Sequence, residues 1–216
     1  MKRPRVIVNC AMSADGKIAL PNRRQLRISS DEDIARVYRL RNQCDAVLVG
    51  VGTILSDDPK LTVKEAYVKH PRQPLRVVLD SNGRTPSRAM VLNKTAKTLI
   101  IMAKGNKRSF KGSHIEVARC TTDRFGLLEV PCILELLVQR GIKTLLVEGG
   151  STVIWSFMHS DVVDDLFVYV GSCIIGGKST PTMAGGQGVA AEDEAIPLRL
   201  VGTRRLGEGI LMHYQP

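Results

Sequence analysis

Residues 144–152 restrict the fold of this chain more than any other stretch. They begin with the apolar run 145–147, whose composition is typical of a strand buried on both faces. Glu148 follows directly, two glycines then allow a sharp turn, and small polar residues indicate the start of a helix. This order predicts a βα unit of a parallel sheet, in which ligands bind at the carboxyl ends of the strands and a helix N-terminus suits a phosphate. The alternative is a tight structural turn with Glu148 in solvent.

Strand and helix patterns alternate along the rest of the chain. Further strands are predicted at residues 5–11, 46–49, 75–79, 98–102, 114–117 and 165–170. One helix is predicted to begin at residues 29–32, where Ser29 and Glu32 fit a capping box, and another spans residues 131–140. Residues 198–203 and 210–214 predict a closing hairpin. The expected fold is α/β, with a mostly parallel central sheet, helices on both faces and a C-terminal antiparallel hairpin.

Length and composition predict one domain that spans residues 1–216. Hydrophobic residues make up 44% of the chain, which is enough for a full core, and we find no linker or internal repeat. Five cysteines without a Cys-x-x-Cys pair indicate reduced thiols and a cytoplasmic location. No apolar run has the length of a membrane span. The four histidines are isolated in the sequence, so no metal site is predicted.

The formal net charge of +10 restricts the partners. Such a charge fits either a nucleic acid or a small substrate that carries phosphate. We find no aromatic-plus-basic stacking surface, zinc-ligand spacing or helix-turn-helix pattern. We therefore favour a small phosphorylated substrate and expect neither nucleic acid nor a membrane as a partner.

Two further loops and one arginine have both a structural and a functional interpretation. Residues 50–52, Gly-Val-Gly, indicate a close backbone approach after a strand but lack the third glycine of the dinucleotide fingerprint. The loop of residues 13–17 is either a plain turn or a polar loop over a ligand. Arg41, near the end of the first predicted helix, is either a solvated surface residue or a fork for phosphate.

Four stretches resemble the riboflavin-biosynthesis reductases with a dihydrofolate-reductase-like fold. They are residues 12–19, 76–81, 145–152 and, most specific of all, 49–62, Val-Gly-Val-Gly-Thr-Ile-Leu-Ser-Asp-Asp-Pro-Lys-Leu-Thr. Residues 162–166 and 176–178 also fit, so the likeness covers nearly the whole chain in the family's order. The stand-alone archaeal and fungal members, the 2,5-diamino-6-ribosylamino-4(3H)-pyrimidinone 5′-phosphate reductases, are the most similar type.

The resemblance implies a homodimeric, NADPH-dependent oxidoreductase. It would reduce the ribosyl side chain of its pyrimidine phosphate to the ribityl form, by hydride transfer to a ring-opened imine. The bacterial two-domain relatives also carry a zinc deaminase. This chain has no His/Cys deaminase signature, so that activity is not expected.

The resemblance also implies site residues, position by position. Those that match cofactor-binding positions are Ala11, Arg27, Thr53, Asp57, Val78, Leu79, Asp80, Ser81, Gly149, Gly150, Ser151 and Thr152. Those that match substrate-binding positions are Gln25, Arg41, Leu61, Lys64 and Glu148. We assign Glu148 and Asp57 as catalytic residues that orient polar groups. Ser151 is a departure, because relatives often carry a third glycine or alanine there.

The choice between NADPH and NADH stays open in the sequence. A 2′-phosphate requires a cation near the end of the third or fourth strand, where Arg84 and Lys104 are candidates and plain surface charge is the alternative. Asp80 could instead hold the ribose hydroxyls of NADH. Dihydrofolate reductase or another pteridine or pyrimidine reductase is the alternative on the same fold, although the chain is only 4% aromatic. A basic nucleic-acid-binding protein and a catalytically silent relative are the alternatives from other classes.

Overall fold

The computed structural model describes residues 3–216. The strands are β1 Arg5–Ser13, β2 Ala46–Gly50, β3 Leu75–Leu79, β4 Thr98–Ala103, β5 Ile115–Cys120, β6 Thr144–Gly149, β7 Asp165–Gly171, β8 Arg199–Leu206 and β9 Gly209–Gln215. The α-helices are α1 Asp31–Gln43, α2 Val51–Asp57, α3 Val130–Gln139 and α4 Ser151–His159. Each predicted strand therefore exists, with ends within a few residues of the predicted bounds.

The strands form a nine-stranded sheet in the order β5-β4-β3-β2-β6-β1-β7-β9-β8. The pairs β1–β7, β2–β3, β3–β4 and β4–β5 are parallel. The pairs β7–β9 and β8–β9 are antiparallel, as expected for a C-terminal hairpin. The predicted α/β class, with a mostly parallel sheet and an antiparallel closing hairpin, is confirmed.

The chain divides into two compact units, and the prediction of a single domain stays a prediction. The first unit comprises Tyr38–Leu146 with the start of the chain up to Arg5. Its core is the set of apolar strands β2, β3 and β4, and all five residues of β2 are buried. Continuous burial explains why these strands show apolar runs rather than an alternating pattern.

The second unit comprises Val6–Val37 and Val147–Pro216. Tyr169 of β7 is fully buried in it, and its hydroxyl donates a hydrogen bond to the carbonyl of Leu206 at 3.1 Å. Gly209 packs directly on this ring, since a Cβ there would lie 2.3 Å from the Tyr169 hydroxyl. This contact fixes the turn between β8 and β9 against β7. By contrast, almost every residue of β8 is exposed.

Two local predictions were wrong. Residues 51–57 form the helix α2, whereas the sequence predicted only a glycine turn there. Helix α1 is capped by Ser30, whose Oγ accepts the N–H of Asp33 at 3.2 Å, so the capping serine is not Ser29. Ser29 instead donates to the Asp33 carboxylate at 2.6 Å. Residues 61–64 are irregular, and Leu61 has a positive φ of 51°.

Candidate active site

The turn between β6 and α4 has the backbone that its glycines predict. Gly149 has a φ of +108°, in the region that favours glycine, and a Cβ there would lie 3.4 Å from Ile154 Cδ1. Gly150 is the N-cap of α4 and provides no side-chain cap. The half-buried Glu148 lies at the carboxyl end of β6, as predicted. Helix α4 therefore begins without a side-chain cap from its N-cap residue, and a helix N-terminus is a place where anions can bind.

A second glycine pair packs against α4. The N–H of Gly185 donates to the carbonyl of Ser151 at 3.1 Å, and a Cβ on Gly185 would lie 3.0 Å from Ser151 Oγ. Gly186 has a φ of +81° and lies on the indole of Trp155, where a Cβ would be only 2.2 Å from Cδ1. The segment 185–186 therefore holds the first turn of α4 in place. Thr152, on the same turn, is exposed.

Three other predicted residues of the second unit lie on its surface or in its sheet. Ala11 is half-buried in β1 opposite Tyr169. Gln25 is exposed. Arg27 donates to the carboxylate of Asp31 at 2.5 Å, and the two side chains are 63% and 85% exposed. An exposed pair of this kind contributes little to stability, so Arg27 can exchange Asp31 for a ligand at small cost.

The polar loop after β1 is structural. Ser13 is fully buried, and its hydroxyl donates to Asp15 at 2.6 Å. The Asp15 carboxylate also accepts the N–H groups of Ile175 at 3.0 Å and Gly176 at 2.7 Å. These hydrogen bonds, first that of Ser13, lower the pKa of Asp15 to about 2. Asp15 thus connects this loop to residues 175–176, which favours the structural interpretation of the loop.

In the first unit, Thr53 and Asp57 lie on α2, which follows β2 without a spacer. Thr53 is half-buried, and Asp57 is the last residue of the helix. The Oδ1 atom of Asp57 is buried and has no hydrogen-bond partner among the described residues. Burial raises the pKa of this carboxyl above its ordinary value, and a weaker opposing effect comes from a hydrogen bond with Ser56. Gly52, on the same helix, is exposed, and a Cβ there would meet nothing within 4 Å.

The turn after β3 depends on the side chain of Asp80. This carboxylate is fully buried and accepts three hydrogen bonds at 2.7 Å, from the N–H groups of Arg84 and Thr85 and from the Thr85 hydroxyl. Its oxygens are therefore engaged within the turn. Val78 is fully buried, whereas Leu79 and Ser81 are half-buried, so the Ser81 hydroxyl is partly accessible in this turn.

Basic side chains surround the Ser81 turn at the carboxyl ends of β3, β4 and β5. The predicted candidates Arg84 and Lys104 are both exposed. The sequence analysis missed Arg108 and Arg119. The Arg108 guanidinium donates to the carbonyl of Gly83, and Arg119 Nε donates to the carbonyl of Asn106 at 2.7 Å. The signal that could have identified them is the density of basic residues in 104–119.

The predicted substrate residues of the first unit lie together around Tyr38. The guanidinium carbon of Arg41 lies 5.3 Å from the centre of the Tyr38 ring, and Lys64 Nζ lies 5.4 Å from it. Arg41 also donates to the carbonyl of Thr62 at 3.2 Å. Leu61 is only 2% exposed, and its backbone is in the left-handed region with a φ of 51°. This conformation is strained for a leucine, and such strain is typical of functional sites.

Each unit thus groups part of the predicted site. The first holds Thr53, Asp57, Ser81 and the Tyr38 cluster, and the second holds the turn 148–152. A single crevice that all of these residues share stays a prediction. Within residues 3–216, no group of three or more His, Cys, Asp or Glu side chains could hold a metal ion. No helix in that range is long and apolar enough to cross a membrane.

Comparisons with known proteins show the family to which the chain is similar. Residues 4–212 match the family model of the RibD C-terminal domain. A relative in Archaeoglobus fulgidus is 40% identical over 96% of this chain and 95% of its own length, and it is named 2,5-diamino-6-ribosylamino-4(3H)-pyrimidinone 5′-phosphate reductase.

Two solved structures show the likeness of the fold. A diaminohydroxyphosphoribosylaminopyrimidine deaminase/5-amino-6-(5-phosphoribosylamino)uracil reductase from Thermotoga maritima superposes with a TM-score of 0.83 at 30% identity. The match covers 100% of this chain and 57% of that one. Dihydrofolate reductase from Enterococcus faecalis, 12% identical, superposes with a TM-score of 0.55 over 98% of this chain and 95% of its own, and shows the fold alone. On this evidence the chain belongs to the RibD C-terminal domain family and is a reductase of the kind that acts in riboflavin biosynthesis.

Proposed function

We propose that this protein reduces the ribosyl side chain of 2,5-diamino-6-ribosylamino-4(3H)-pyrimidinone 5′-phosphate to the ribityl form, with NADPH as the reductant. The observation that carries the proposal is the match, over nearly the full length of both chains, to a relative named for that substrate. No comparable observation favours dihydrofolate, because the likeness to dihydrofolate reductase extends to the fold only.

The substrate phosphate fits the two cations beside Tyr38. Arg41 offers a planar fork of donors and Lys64 a compact charge, which together suit a phosphate with several acceptor oxygens. The strained Leu61 lies in the segment that leads to Lys64, where Gln73 accepts the Val63 N–H at 2.8 Å and donates back to the Val63 carbonyl at 2.9 Å. These bonds hold that segment in one conformation.

The residues at two other places fit a nicotinamide dinucleotide. Gly150 offers no side chain at the start of α4, so a phosphate can approach the N–H groups there. The unpartnered Oδ1 of Asp57 is an acceptor for a hydroxyl or amide donor of a ligand. The Asp57 oxygen is an exception as structure, since buried polar groups in folded proteins are normally paired.

A reduced nicotinamide, when bound, supplies the hydride for the first carbon of the sugar. The ring-opened imine requires in addition a proton at its nitrogen and a fixed orientation. Arg41 and Lys64 hold the far end of the substrate, and orientation of this kind contributes on the order of 7–11 kcal/mol to lowering a barrier. We assign Glu148, half-buried at the end of β6, and Asp57 as the carboxylates that orient the polar groups of the reactants.

The preference for NADPH over NADH is supported by the basic residues around Ser81. The backbone at Arg108 is fixed beside the Ser81 turn. The backbone N–H of Arg108 donates to Asn106 Oδ1 at 2.9 Å, and the side-chain amide of Asn106 donates to the Ser81 carbonyl at 3.2 Å. In the described part of the chain, neither Arg108 nor Arg119 forms an ion pair with a carboxylate, so both charges can face an added phosphate. The buried, fully engaged Asp80 does not favour the NADH alternative.

We also propose a cytoplasmic homodimer. All five cysteines are free thiols, which is typical of a reducing compartment. The edge strand β8 and its partner β9 expose apolar side chains, with Leu200 52%, Val201 44% and Ile210 50% exposed. An exposed edge strand is a template for a second chain. Sedimentation of the purified protein as a monomer at micromolar concentration would contradict the dimer.

Purified protein, the pyrimidine ribosylamine phosphate and either NADPH or NADH test the activity. We expect oxidation of the cofactor together with a product that is two hydrogens richer by mass spectrometry. Arg41→Ala and Lys64→Ala should each raise the KM of the substrate about tenfold or more, with a smaller effect on kcat. Arg39→Ala is the matched control, because Arg39 is an exposed arginine of the same helix. No turnover by the wild-type enzyme, or an unchanged KM in both variants, would contradict the assignment.

The cofactor preference is tested with Arg108→Ala. The ratio of kcat/KM for NADPH to that for NADH should fall about tenfold, because a charge-assisted hydrogen bond to the 2′-phosphate is lost. Lys97→Ala is the control, since Lys97 is exposed at the opposite, amino end of β4. An unchanged ratio in Arg108→Ala would contradict the assignment of the 2′-phosphate to this edge of the sheet.

A further inference from the structure

The ring of Tyr38 lies at the centre of the group that we assign to the substrate phosphate. It is half-buried on α1, and the cationic groups of Arg41 and Lys64 both lie within 5.4 Å of its centre. These two residues come from different parts of the chain, one from a helix and the other from an irregular segment. Tyr38 is therefore a side chain that interacts with both.

The position of the Tyr38 ring is itself fixed by a second tyrosine. Tyr67 stacks on Tyr38 with ring centres 4.5 Å apart and planes inclined by 6°. The N–H of Tyr67 donates to the carbonyl of Lys64 at 3.0 Å, so Tyr67 and Lys64 belong to one turn of the backbone. Together with the bond from Arg41 to Thr62, this stack joins the end of α1 to segment 61–67.

The chemistry of an aromatic ring favours contact with cations. The face of an aromatic ring is electronegative and attracts ammonium and guanidinium groups within about 6 Å. Lys64 is exposed and its side chain has many rotamers, which it would otherwise sample before a substrate arrives. A ring that attracts both cations offsets part of the repulsion between them and restricts the positions that they sample before a phosphate binds.

We propose that Tyr38 is the positioning residue of the phosphate site: its ring holds Arg41 and Lys64 in place for the 5′-phosphate of the substrate. The inference rests on the proposed function, which assigns those two cations to the substrate phosphate. The phenolic hydroxyl takes no part in it. The effect therefore belongs to the aromatic face and is specific for ligands that carry phosphate.

The test compares Tyr38→Leu, which removes the aromatic face, with Tyr38→Phe, which keeps it. Tyr38→Leu should raise the KM of the phosphorylated substrate about tenfold and leave kcat within about twofold. The KM of the dephosphorylated substrate should not change. Tyr38→Phe should behave as the wild-type enzyme in both assays. A purely structural role for Tyr38 would instead change kcat and both KM values together.

A second readout separates this inference from the proposed function. Ribose 5-phosphate, titrated by calorimetry in the absence of cofactor, should bind wild-type protein and Tyr38→Phe equally and Tyr38→Leu about tenfold more weakly. If Tyr38→Leu does not fold, Tyr38→Met, which also lacks a π face, takes its place. Equal binding by the aromatic and aliphatic variants would overturn the role of Tyr38. If Tyr38→Leu binds ribose 5-phosphate tenfold more weakly but the wild-type enzyme shows no turnover, the proposed reaction is overturned and the role of Tyr38 in phosphate binding is supported.

Discussion

Replacement of Asp57 by asparagine should stabilise the protein in the absence of cofactor while it weakens the cofactor's binding. Asp57 ends α2, its Oδ1 is buried, and that atom has no hydrogen-bond partner in the described part of the chain. A carboxylate at the C-terminus of a helix also faces the partial negative charge of the last carbonyls. The folded apoprotein therefore carries a charge in an unfavourable place, and an amide of nearly the same shape removes that charge.

The magnitude follows from the two contributions. A buried carboxylate oxygen without a partner costs about 1–3 kcal/mol, and the interaction with the helix end costs about 0.3–1 kcal/mol. The asparagine amide keeps an acceptor at this place, so the substitution removes only the part of the first cost that is due to the charge. Asp57 is only half-buried, so solvent screens part of both effects, and we expect a net gain of about 1 kcal/mol. For a protein of this length, that gain corresponds to an increase in Tm of about 2–4 °C.

The stability difference between Asp57→Asn and the wild type should depend on pH. Burial raises the pKa of Asp57 in the folded state above its ordinary value of 3.8, so the proton binds the folded state more tightly than the unfolded state. This contribution to stability is complete below the ordinary pKa and is lost as the pH rises through the raised pKa. The Tm difference between Asp57→Asn and wild type should therefore be largest near neutral pH and should fade as the pH falls below 3.8.

Thermal melting across this pH range, with and without NADPH, is the assay. Asp58→Ala is the matched control, because Asp58 Oδ1 accepts the N–H of Met90 at 2.7 Å and its backbone is left-handed, with a φ of 41°. That variant should lose about 1–2 kcal/mol. The KM for NADPH should rise about tenfold in Asp57→Asn, because a charge-assisted hydrogen bond is lost. A lower Tm of Asp57→Asn than of the wild type at neutral pH would refute the argument from the buried charge.

Three further predictions concern the scaffold. Asp15→Asn should speed hydrogen exchange at the amides of residues 175–176, and in the wild-type protein that protection should decline only as the pH falls towards about 2. Arg76→Met should lower the free energy of unfolding, measured by urea denaturation, by about 3–5 kcal/mol. The reason is that the fully buried guanidinium donates to the carbonyls of residues 60, 93 and 96. A loss below about 1 kcal/mol would contradict this. Gly186→Ala should shift the fluorescence of Trp155, the chain's single tryptophan, and lower the Tm, because its Cβ would overlap the indole. The control for it is Gly188→Ala, whose Cβ would meet nothing within 4 Å and should leave the fluorescence unchanged.

The sequence by itself determined the elements whose signals are local. Apolar runs such as 46–49 and 98–102 predicted buried strands, because a strand covered on both faces has no polar position. Pro131 and Gly141 correctly predicted the ends of α3, since each restricts the backbone on its own. The motif Glu-Gly-Gly at the end of β6 predicted the turn into α4 for the same reason.

Only the tertiary structure decided how the polar side chains are used. The resemblance to the family assigned both Asp80 and Asp57 to the cofactor site. In the structure, the Asp80 carboxylate accepts three hydrogen bonds, whereas Asp57 has an oxygen without a partner. No periodicity or motif predicts the left-handed backbone of Leu61 or the contact between Tyr38 and Lys64. Both depend on how segments that are distant in sequence pack together. The physical reason is that backbone preference acts over a few neighbouring residues, whereas burial and pairing of a charge depend on packing between distant parts of the chain.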